Sequence, residues 1–374
     1  MQKWWNWVLF IALLCLLFIA VPLTYTTSPS GTKDKIRPMF DEYIKKYNKT
    51  YKNNLAEYET RLEHFVASVQ EIEKLNAASR GPEAHRAKYG LTKLSDMSKA
   101  EFKEIHLSDE KPHHNRRRQD KNRDDTSDFI GDKSSESDHD NHRNRIHNFI
   151  RKKRAALPLR IDWREKGVIG PIKDQGICGA CWAFSTIGTM EAMAAIQSGK
   201  LNELSVQEVI DCAGLGNSGC AGGDICLLLD WLLMTDTAVE SDKAYPLRLM
   251  NGACMKKVNA TGVKVETFTC DDFVGAEDKI LQLIASHGPV SVAVNALTWQ
   301  NYLGGVIQYH CSGSPAELNH AVELVGYDLS AEVPYYIAKN SWGKNFGKAG
   351  YIQLAIGNNV CGLANEVASI EVKL

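Results

Sequence analysis

The segment 108–154 constrains the fold of this 374-residue chain more than any other feature. It mixes positive and negative charges with five histidines, and it is nearly free of apolar residues except around Phe129 and Phe149. Such a stretch buries too little apolar surface to offset the conformational entropy that folding removes. It is therefore predicted to be a disordered, charged linker between an N-terminal and a C-terminal region.

The linker ends in four consecutive basic residues, Arg151–Arg154. Their place at a boundary between two compositions indicates a cleavage site, and a convertase that cuts after Arg154 is the expected partner. The C-terminal region then covers residues 155–374. The linker histidines suggest pH sensing, because imidazole changes charge between about pH 5 and 8. Metal capture is disfavoured, because nothing fixes the geometry of these side chains.

An apolar run at residues 4–23 follows Lys3. We interpret residues 1–23 as a signal peptide, with a retained signal anchor as the alternative because no small-x-small cleavage site follows. An uncleaved run would make the protein membrane-anchored. Either outcome sends the rest of the chain into the secretory pathway, where disulfides persist. Asn48 and Asn259 stand in Asn-X-Thr triplets and are candidates for glycosylation there.

The overall composition is that of a globular protein, with 44% hydrophobic and 24% charged residues. The formal net charge of −1 gives no electrostatic reason to bind nucleic acid or an acidic membrane surface. No nucleic-acid partner is therefore expected.

Two cysteines, Cys178 and Cys181, stand in a CxxC spacing within the stretch GICGACWAFS. This spacing serves zinc sites, redox dithiols, or a bridge-forming thiol beside a reactive one. Zinc is disfavoured because no second CxxC or HxxxH pair follows at finger spacing. A thioredoxin-like dithiol is disfavoured because the aromatic residue follows the second cysteine. Neither a metal nor a cofactor is therefore expected, and the roles of the two cysteines depend on their context.

The residues after Cys181 predict a buried helix. Ala183, Ile187 and Met190 fall on one helix face, and Gly199 provides a stop signal. Cys181 would then occupy the first turn, where the positive end of the helix dipole lowers the pKa of a thiol. The thiolate is the nucleophilic form of cysteine.

Downstream, His320 begins a strand-like alternation with Val322 and Leu324. Asn340 and Trp342 follow in the stretch YYIAKNSWG, and Gln175 precedes Cys181 by six residues. A histidine is a suitable proton partner for a reactive cysteine.

Together these separated motifs resemble the papain family of cysteine proteases, whose nucleophile lies in a CGxCW signature. The stretches LPLRIDWR, TWQNYLGGVIQYHCS and NNVCGLANEVASI carry a narrower likeness to one cathepsin branch. The resemblance implies an α+β, papain-like two-lobed fold with a helical lobe and a β-barrel lobe. Cys181 would lie on one wall of the cleft between the lobes and His320 on the other.

The resemblance also implies a role for each motif residue. His320 would keep Cys181 ionised and then protonate the leaving amine, while Asn340 orients the imidazole. Trp342 would shield that hydrogen bond from water. Gln175 and the backbone N–H of Cys181 would form the oxyanion hole.

The N-terminal region resembles the helical inhibitory pro-region of the same family, and we assign it to residues 32–107. One helix face carries a motif of six residues: Glu57, Arg61, Phe65, Ser68, Ile72 and Asn76. A second motif comprises Gly90, Thr92, Leu94 and Asp96. The resemblance implies that this pro-region inhibits its own peptidase domain, residues 155–374.

The resemblance suggests three disulfides: Cys178–Cys220, Cys212–Cys254 and Cys311–Cys361. Cys178 would then be structural and Cys181 free. Cys226 and Cys270 have no partner in the common pattern, so they either bridge each other or remain buried thiols.

Pocket residues also follow from the resemblance. Gly222 and Gly223 would pair with an extended peptide. The pocket for the side chain one residue before the cleaved position would be lined by Ile225, Ala293, Leu318 and Ala321. Glu366 would lie at its floor. Apolar walls favour leucine, valine or phenylalanine, and an inward Glu366 would also accept arginine or lysine.

We therefore predict a monomeric cysteine endopeptidase of the lysosome or endolysosomal system, or a secreted one. It would act on peptide and protein substrates. The alternatives are a catalytically silent, papain-like peptide-binding protein and a pro-region-type inhibitor of other proteases.

Overall fold

The computed structural model of the chain describes residues 29–79, 83, 85–107, 157–257 and 260–374. The predicted signal sequence, the linker with Arg154, and Asn259 lie outside the described residues. The chain divides into two compact units, residues 1–66 and 67–374. Within the described ranges, no helix has the length and apolar character needed to cross a membrane.

The first unit is helical. Helix α1 spans Pro29–Lys46, and α2 spans Leu55–Ala78 and continues into the second unit. An aromatic core holds the helices of this unit together, with Phe40 and Phe65 both fully buried and their ring centroids 5.0 Å apart. Asn48 is exposed in the turn after α1.

The remaining elements all lie in the second unit. Its helices are α3 (Lys99–His106), α4 (Cys181–Ser198), α5 (Val206–Cys212), α6 (Ile225–Met234) and α7 (Glu277–Ser286). Its strands are β1 (Lys88–Tyr89), β2 (Arg160–Asp162), β3 (Lys264–Asp271), β4 (Val290–Val294), β5 (Tyr302–Gly304), β6 (Val306–Ile307), β7 (His320–Asp328), β8 (Tyr335–Lys339), β9 (Tyr351–Ala355) and β10 (Val367–Lys373).

Helix α4 forms the centre of one hydrophobic cluster. Its residues from Cys181 to Ala195 are all buried, as expected of a helix that is apolar on every face. It ends at Gly199, whose φ of 71° is the left-handed conformation that glycine adopts without strain. Helices α5 and α6 pack against it, and the side chains of Ser205 and Asp224 cap their N-termini.

The strands form the second hydrophobic cluster. Among the described residues, the main sheet has the order β3-β10-β4-β7-β8-β9-β6, and β2 also pairs with β7. The pairs are antiparallel except for β6 with β9. Strand β7 lies in the middle of this sheet, and His320 is its first residue. The predicted α+β fold, with a helical lobe and a β lobe after a helical pro-region, is confirmed.

Candidate active site

The local structure around Cys181 fixes its thiol at the start of α4. Cys178 is bonded to Cys220, and the backbone N–H of Gly179 donates to the carbonyl of Cys220 at 2.9 Å. This bridge anchors the turn that leads into the helix. Cys181 itself is a buried free thiol, so the CxxC pair is neither a zinc half-site nor a dithiol.

Strands β7 and β8 bring His320 and Asn340 together. The Nε2 atom of His320 lies 2.8 Å from Oδ1 of Asn340, which also accepts from the backbone N–H of Ser341 at 2.9 Å. An N–H at Nε2 therefore donates to Asn340, which leaves Nδ1 as the unprotonated nitrogen of a neutral ring. Among the described groups, Nδ1 has no hydrogen-bond partner.

The ring of Trp342 covers this pair. Its centroid lies 4.7 Å from that of His320, and only 1% of the tryptophan is exposed. Its predicted role, to shield the hydrogen bond between His320 and Asn340 from water, remains a prediction.

Gln175 is fully buried close to the same residues. Its side-chain amide donates to the carbonyl of Cys178 at 3.0 Å, and its Oε1 accepts from the hydroxyl of Ser341 at 2.6 Å. These contacts fix the amide beside the turn that precedes Cys181. Its predicted role in an oxyanion hole remains a prediction.

The electrostatics of the two reactive groups differ from the sequence-based expectation. Burial raises the pKa of the Cys181 thiol to about 11 and lowers the pKa of His320 to about 4. Both residues are almost completely buried, at 1% and 3% exposure. The thiolate and imidazolium remain a prediction for the enzyme without its pro-region. Burial disfavours both charges more strongly than the helix terminus favours the thiolate.

Helix α3 of the pro-region contributes to the burial of this site. The ring centroids of Phe102 and Trp342 lie 5.4 Å apart, and those of His106 and Trp342 lie 5.9 Å apart. His106 is buried, and this burial lowers its pKa to about 4. A neutral, apolar face of the pro-region thus closes over the aromatic side of the site.

The segment before α3 is fixed to the β lobe by backbone and side-chain hydrogen bonds. Strand β1 pairs with β5, and the Thr92 hydroxyl donates to the carbonyl of Gln300 at 2.7 Å. The side chain of Gln300 donates in return to the carbonyls of Leu94 and Met97 at 2.8 and 2.9 Å. Lys93 pairs with Asp174, the residue before Gln175, at 2.5 Å.

Three predicted motif positions of the pro-region make side-chain contacts in the structure. The Asn76 amide exchanges hydrogen bonds with the backbone of Tyr89, at 2.8 and 2.9 Å. This contact joins the end of α2 to β1. In the first unit, the side chains of Glu57 and Arg61 lie 3.8 Å apart on one face of α2.

A cleft of about 330 Å³ includes both Cys181 and His320. Six of the predicted pocket residues line it: Gly223, Ile225, Ala293, Leu318, Ala321 and Glu366. Gly222 does not line it. A side chain at Gly223 would meet the indole of Trp182 at 2.7 Å, so only glycine fits there. Asp224 and Asn319 line the cleft as well and were missed from the sequence.

Glu366 points inward and is only 4% exposed. Burial raises its pKa well above the ordinary value, and the negative charge of Asp224 adds to this effect. Asp224, Cys226 and Glu366 together place three potential ligand atoms within 4.8 Å of one another. Because Cys226 is bonded to Cys270, its sulfur is not a thiolate ligand, and we assign no metal to this group.

A second cavity, which also borders Ala321, contains another group of buried charges. The Lys339 ammonium lies 3.2 Å from Oε2 of Glu323, and Lys173 lies 3.7 Å from Glu191. Burial raises the pKa of Glu191 to about 7. This group was not predicted from the sequence, because its members are far apart along the chain.

The predicted disulfides Cys178–Cys220, Cys212–Cys254 and Cys311–Cys361 are all present. The open question about the remaining two cysteines is answered by a fourth bridge, Cys226–Cys270. It joins the first turn of α6 to the end of β3.

Comparisons with known proteins agree with this fold and site. Residues 157–370 match the family described as "Papain family cysteine protease", and residues 40–102 match the "Cathepsin propeptide inhibitor domain (I29)". Cathepsin O of Mus musculus is 44% identical over 219 residues, which cover 58% of this chain and 69% of the mouse protein. Cathepsin O of Homo sapiens is 42% identical over 219 residues, covering 58% and 67% respectively.

Longer matches include the pro-region. Cysteine proteinase 2 of Leishmania pifanoi is 33% identical over 342 residues, covering 90% of this chain and 69% of that protein. The solved structure of recombinant stem bromelain precursor has a TM-score of 0.69 at 26% identity and covers 90% of this chain and 99% of its own. The chain therefore belongs to the papain family of cysteine proteases and carries the inhibitory propeptide of a cathepsin-type zymogen.

Proposed function

We propose that Cys181, His320 and Asn340 carry out peptide-bond hydrolysis as an endopeptidase once the pro-region has left the site. The observation that carries this proposal is the free Cys181 thiol in one cleft with a His320 ring that Asn340 holds at Nε2. His320 takes the thiol proton, and the thiolate attacks the substrate carbonyl. His320 then protonates the leaving amine, and water hydrolyses the acyl-enzyme.

Gln175 and the backbone N–H of Cys181 would stabilise the negatively charged oxygen of the tetrahedral intermediate. Trp342 would keep water from the His320–Asn340 hydrogen bond. The raised pKa of Cys181 and the lowered pKa of His320 belong to the covered state. Removal of the α3 segment opens the site to water, which lowers the desolvation cost of the thiolate–imidazolium pair.

Active-site labelling tests the proposal directly. The full chain is acidified and treated with a thiol-directed epoxide, and the modified residue is identified by mass spectrometry. We expect the label on Cys181 and loss of both label and peptide hydrolysis in Cys181→Ala, with at least a roughly 10⁴-fold fall in kcat. An acidified wild type that takes no label would instead support a silent peptide-binding protein.

The pocket residues support a substrate with leucine, valine, phenylalanine, arginine or lysine one residue before the cleaved position. Apolar walls fit the first three, and the buried Glu366 carboxylate fits the two basic side chains. A peptide library that varies this residue tests the assignment. We expect Glu366→Ala to lose arginine acceptance and keep leucine acceptance; unchanged arginine acceptance would contradict the role of Glu366.

We further propose that cleavage after Arg154 releases the peptidase domain 155–374, and that the monomeric enzyme works in a lysosomal or extracellular compartment. N-terminal sequencing of the active form tests the cleavage site. A first residue far from Ala155 would contradict it.

A further inference from the structure

Within the part of the chain that the structure describes, no group donates a hydrogen bond to the Glu366 carboxylate. Its Oε1 atom has one close polar neighbour among the described residues, the Cys226 sulfur at 3.6 Å. Because that sulfur is bonded to Cys270, it carries no hydrogen and cannot donate. A buried carboxylate with no donor is costly, because nothing replaces the water that it has lost.

The position of the sulfur is set by two elements of the fold. Cys226 lies in the first turn of α6, and Cys270 lies opposite Ala368 in the pairing of β3 with β10. Glu366 immediately precedes β10. The disulfide therefore holds a hydrogen-free sulfur against this carboxylate and leaves the Cys226 side chain unable to rotate away.

Among the described residues, no lysine or arginine lines the cleft with Glu366. The titratable side chains that line the cleft with it are Asp224, Cys181 and His320, among the residues that the structure describes. Asp224 adds negative charge, and one of its oxygens already accepts from the backbone N–H of Leu227 at 2.8 Å. The cleft thus presents an unpaired carboxylate beside the residues proposed for catalysis.

We propose that the Cys226–Cys270 disulfide is a specificity-determining element, because its hydrogen-free sulfur leaves the Glu366 carboxylate to be paired by a basic substrate side chain. A thiol or hydroxyl at position 226 would donate to Glu366 and partly satisfy it. The inference rests on the proposed function, since it concerns the substrate pocket of that enzyme.

The proposal makes a prediction about pH that a purely structural cross-link does not. A donor stabilises the ionised carboxylate and lowers its pKa, whereas an apolar side chain leaves the pKa high. Acceptance of arginine follows ionisation of Glu366. The pH at which arginine acceptance appears therefore reports whether position 226 carries a donor.

The experiment compares the wild type with C226S/C270A and C226A/C270A, each produced as the full chain and activated by acid. Both variants lack the cross-link, and they differ only in a hydroxyl at position 226. Two peptides that differ only by arginine or leucine before the cleaved residue give the ratio of kcat/KM values between pH 4 and 8. Mass spectrometry of the assayed wild type verifies that the bridge is closed.

We expect the arginine-to-leucine ratio to rise at the same pH in the wild type and C226A/C270A. In C226S/C270A the rise should occur about one pH unit lower. Glu366→Gln should show no such rise. Equal midpoints in the three active proteins, or an equal shift in both double variants, would overturn the inference alone.

Other outcomes separate this inference from the proposed function. An inactive wild type overturns the proposed function. Cleavage after leucine but never after arginine, in all three proteins, overturns the pocket assignment and the inference together. If the double variants do not fold, folded wild type is partially reduced with a phosphine, and mass spectrometry identifies the fraction in which only Cys226–Cys270 is open among the four bridges. The reduced enzyme should show the lower midpoint, reoxidation should restore it, and an unchanged midpoint overturns the inference.

Discussion

Two groups of buried carboxylates border Ala321, the residue after His320, and they differ in how their charge is compensated. Glu323 lies 3.2 Å from the Lys339 ammonium, whereas the nearest polar groups to Glu366, among the described residues, are Asp224 and a disulfide sulfur. Buried charges normally occur in pairs, because desolvation is costly. The difference suggests that the paired group stabilises the fold, whereas the unpaired group is available to bind a ligand.

The paired group spans both lobes. Glu191 lies on α4, the helix that begins at Cys181, and its Oε1 accepts from the backbone N–H of Leu204 at 2.8 Å. Glu323 and Lys339 lie on β7 and β8 of the other lobe. Burial lowers the pKa of Lys339, but the carboxylates of Glu323 and Glu191 outweigh this effect and raise it overall. The lysine is therefore charged, and it contacts Glu323 while its charge also interacts with Glu191.

The largest expected effect comes from removing that lysine. Lys339→Met should lower the free energy of unfolding by about 3–5 kcal/mol, because it leaves buried carboxylates without a counter-ion. Urea denaturation of the full chain at pH 7 measures the change. The control is Lys344→Met at an exposed lysine, with an expected change below about 0.5 kcal/mol. A loss below about 1 kcal/mol for Lys339→Met would contradict the structural role of the pair.

The pH dependence of stability gives the next effect. The pKa of Glu191 is raised from 4.5 to about 7 in the folded protein. A raised carboxyl pKa means that the folded state binds the proton more tightly. The contribution of protonated Glu191 to the free energy of unfolding is fully present below about pH 4.5 and is lost as the pH rises through 7.

Glu191→Gln should therefore lose less stability than the wild type between pH 4.5 and 8, by on the order of 2–3 kcal/mol. Chemical denaturation at several pH values measures the slope. Glu266→Gln, at an exposed carboxylate on β3, is the matched control and should keep the wild-type slope. Identical slopes for Glu191→Gln and the wild type would show that burial of Glu191 has no thermodynamic effect.

The smallest predicted effect is a change in stability that should differ in sign between the two groups. At pH 7.5, Glu366→Gln should stabilise the protein by about 1 kcal/mol, because it removes an unpaired buried charge. Glu323→Gln should destabilise it by about the same amount, because Lys339 loses its nearest partner. Thermal unfolding of both variants measures the signs, and Glu366→Gln should have no effect at pH 4.5. Two shifts of the same sign would abolish the distinction between the groups.

The sequence predicted the neighbours of Cys181 well, because several short motifs independently indicate one family. Its failures come from contacts between distant elements. The Cys226–Cys270 bridge depends on α6 lying beside β3, which the spacing of cysteines does not reveal. The inward orientation of Glu366 was left open because this residue precedes β10, so strand alternation does not fix its direction.

The electrostatic environment of Cys181 also depends on distant contacts. The helix N-terminus is a local feature that the sequence displays, but the cover over the site comes in part from Phe102 and His106, far upstream. Asp224 was missed because it reads as an ordinary helix cap, and it is one. It lines the substrate cleft as well.

The docking of residues 85–107 on the peptidase domain has a consequence for how inhibition ends. The segment and its target belong to one polypeptide, so the segment's effective concentration at the site is on the order of millimolar. Substrate at ordinary concentrations therefore competes poorly with this tethered segment for the site. A single cut between residues 107 and 157 turns it into a free peptide, whose occupancy then falls with dilution. Dilution after the cut is therefore sufficient to release the segment from the site.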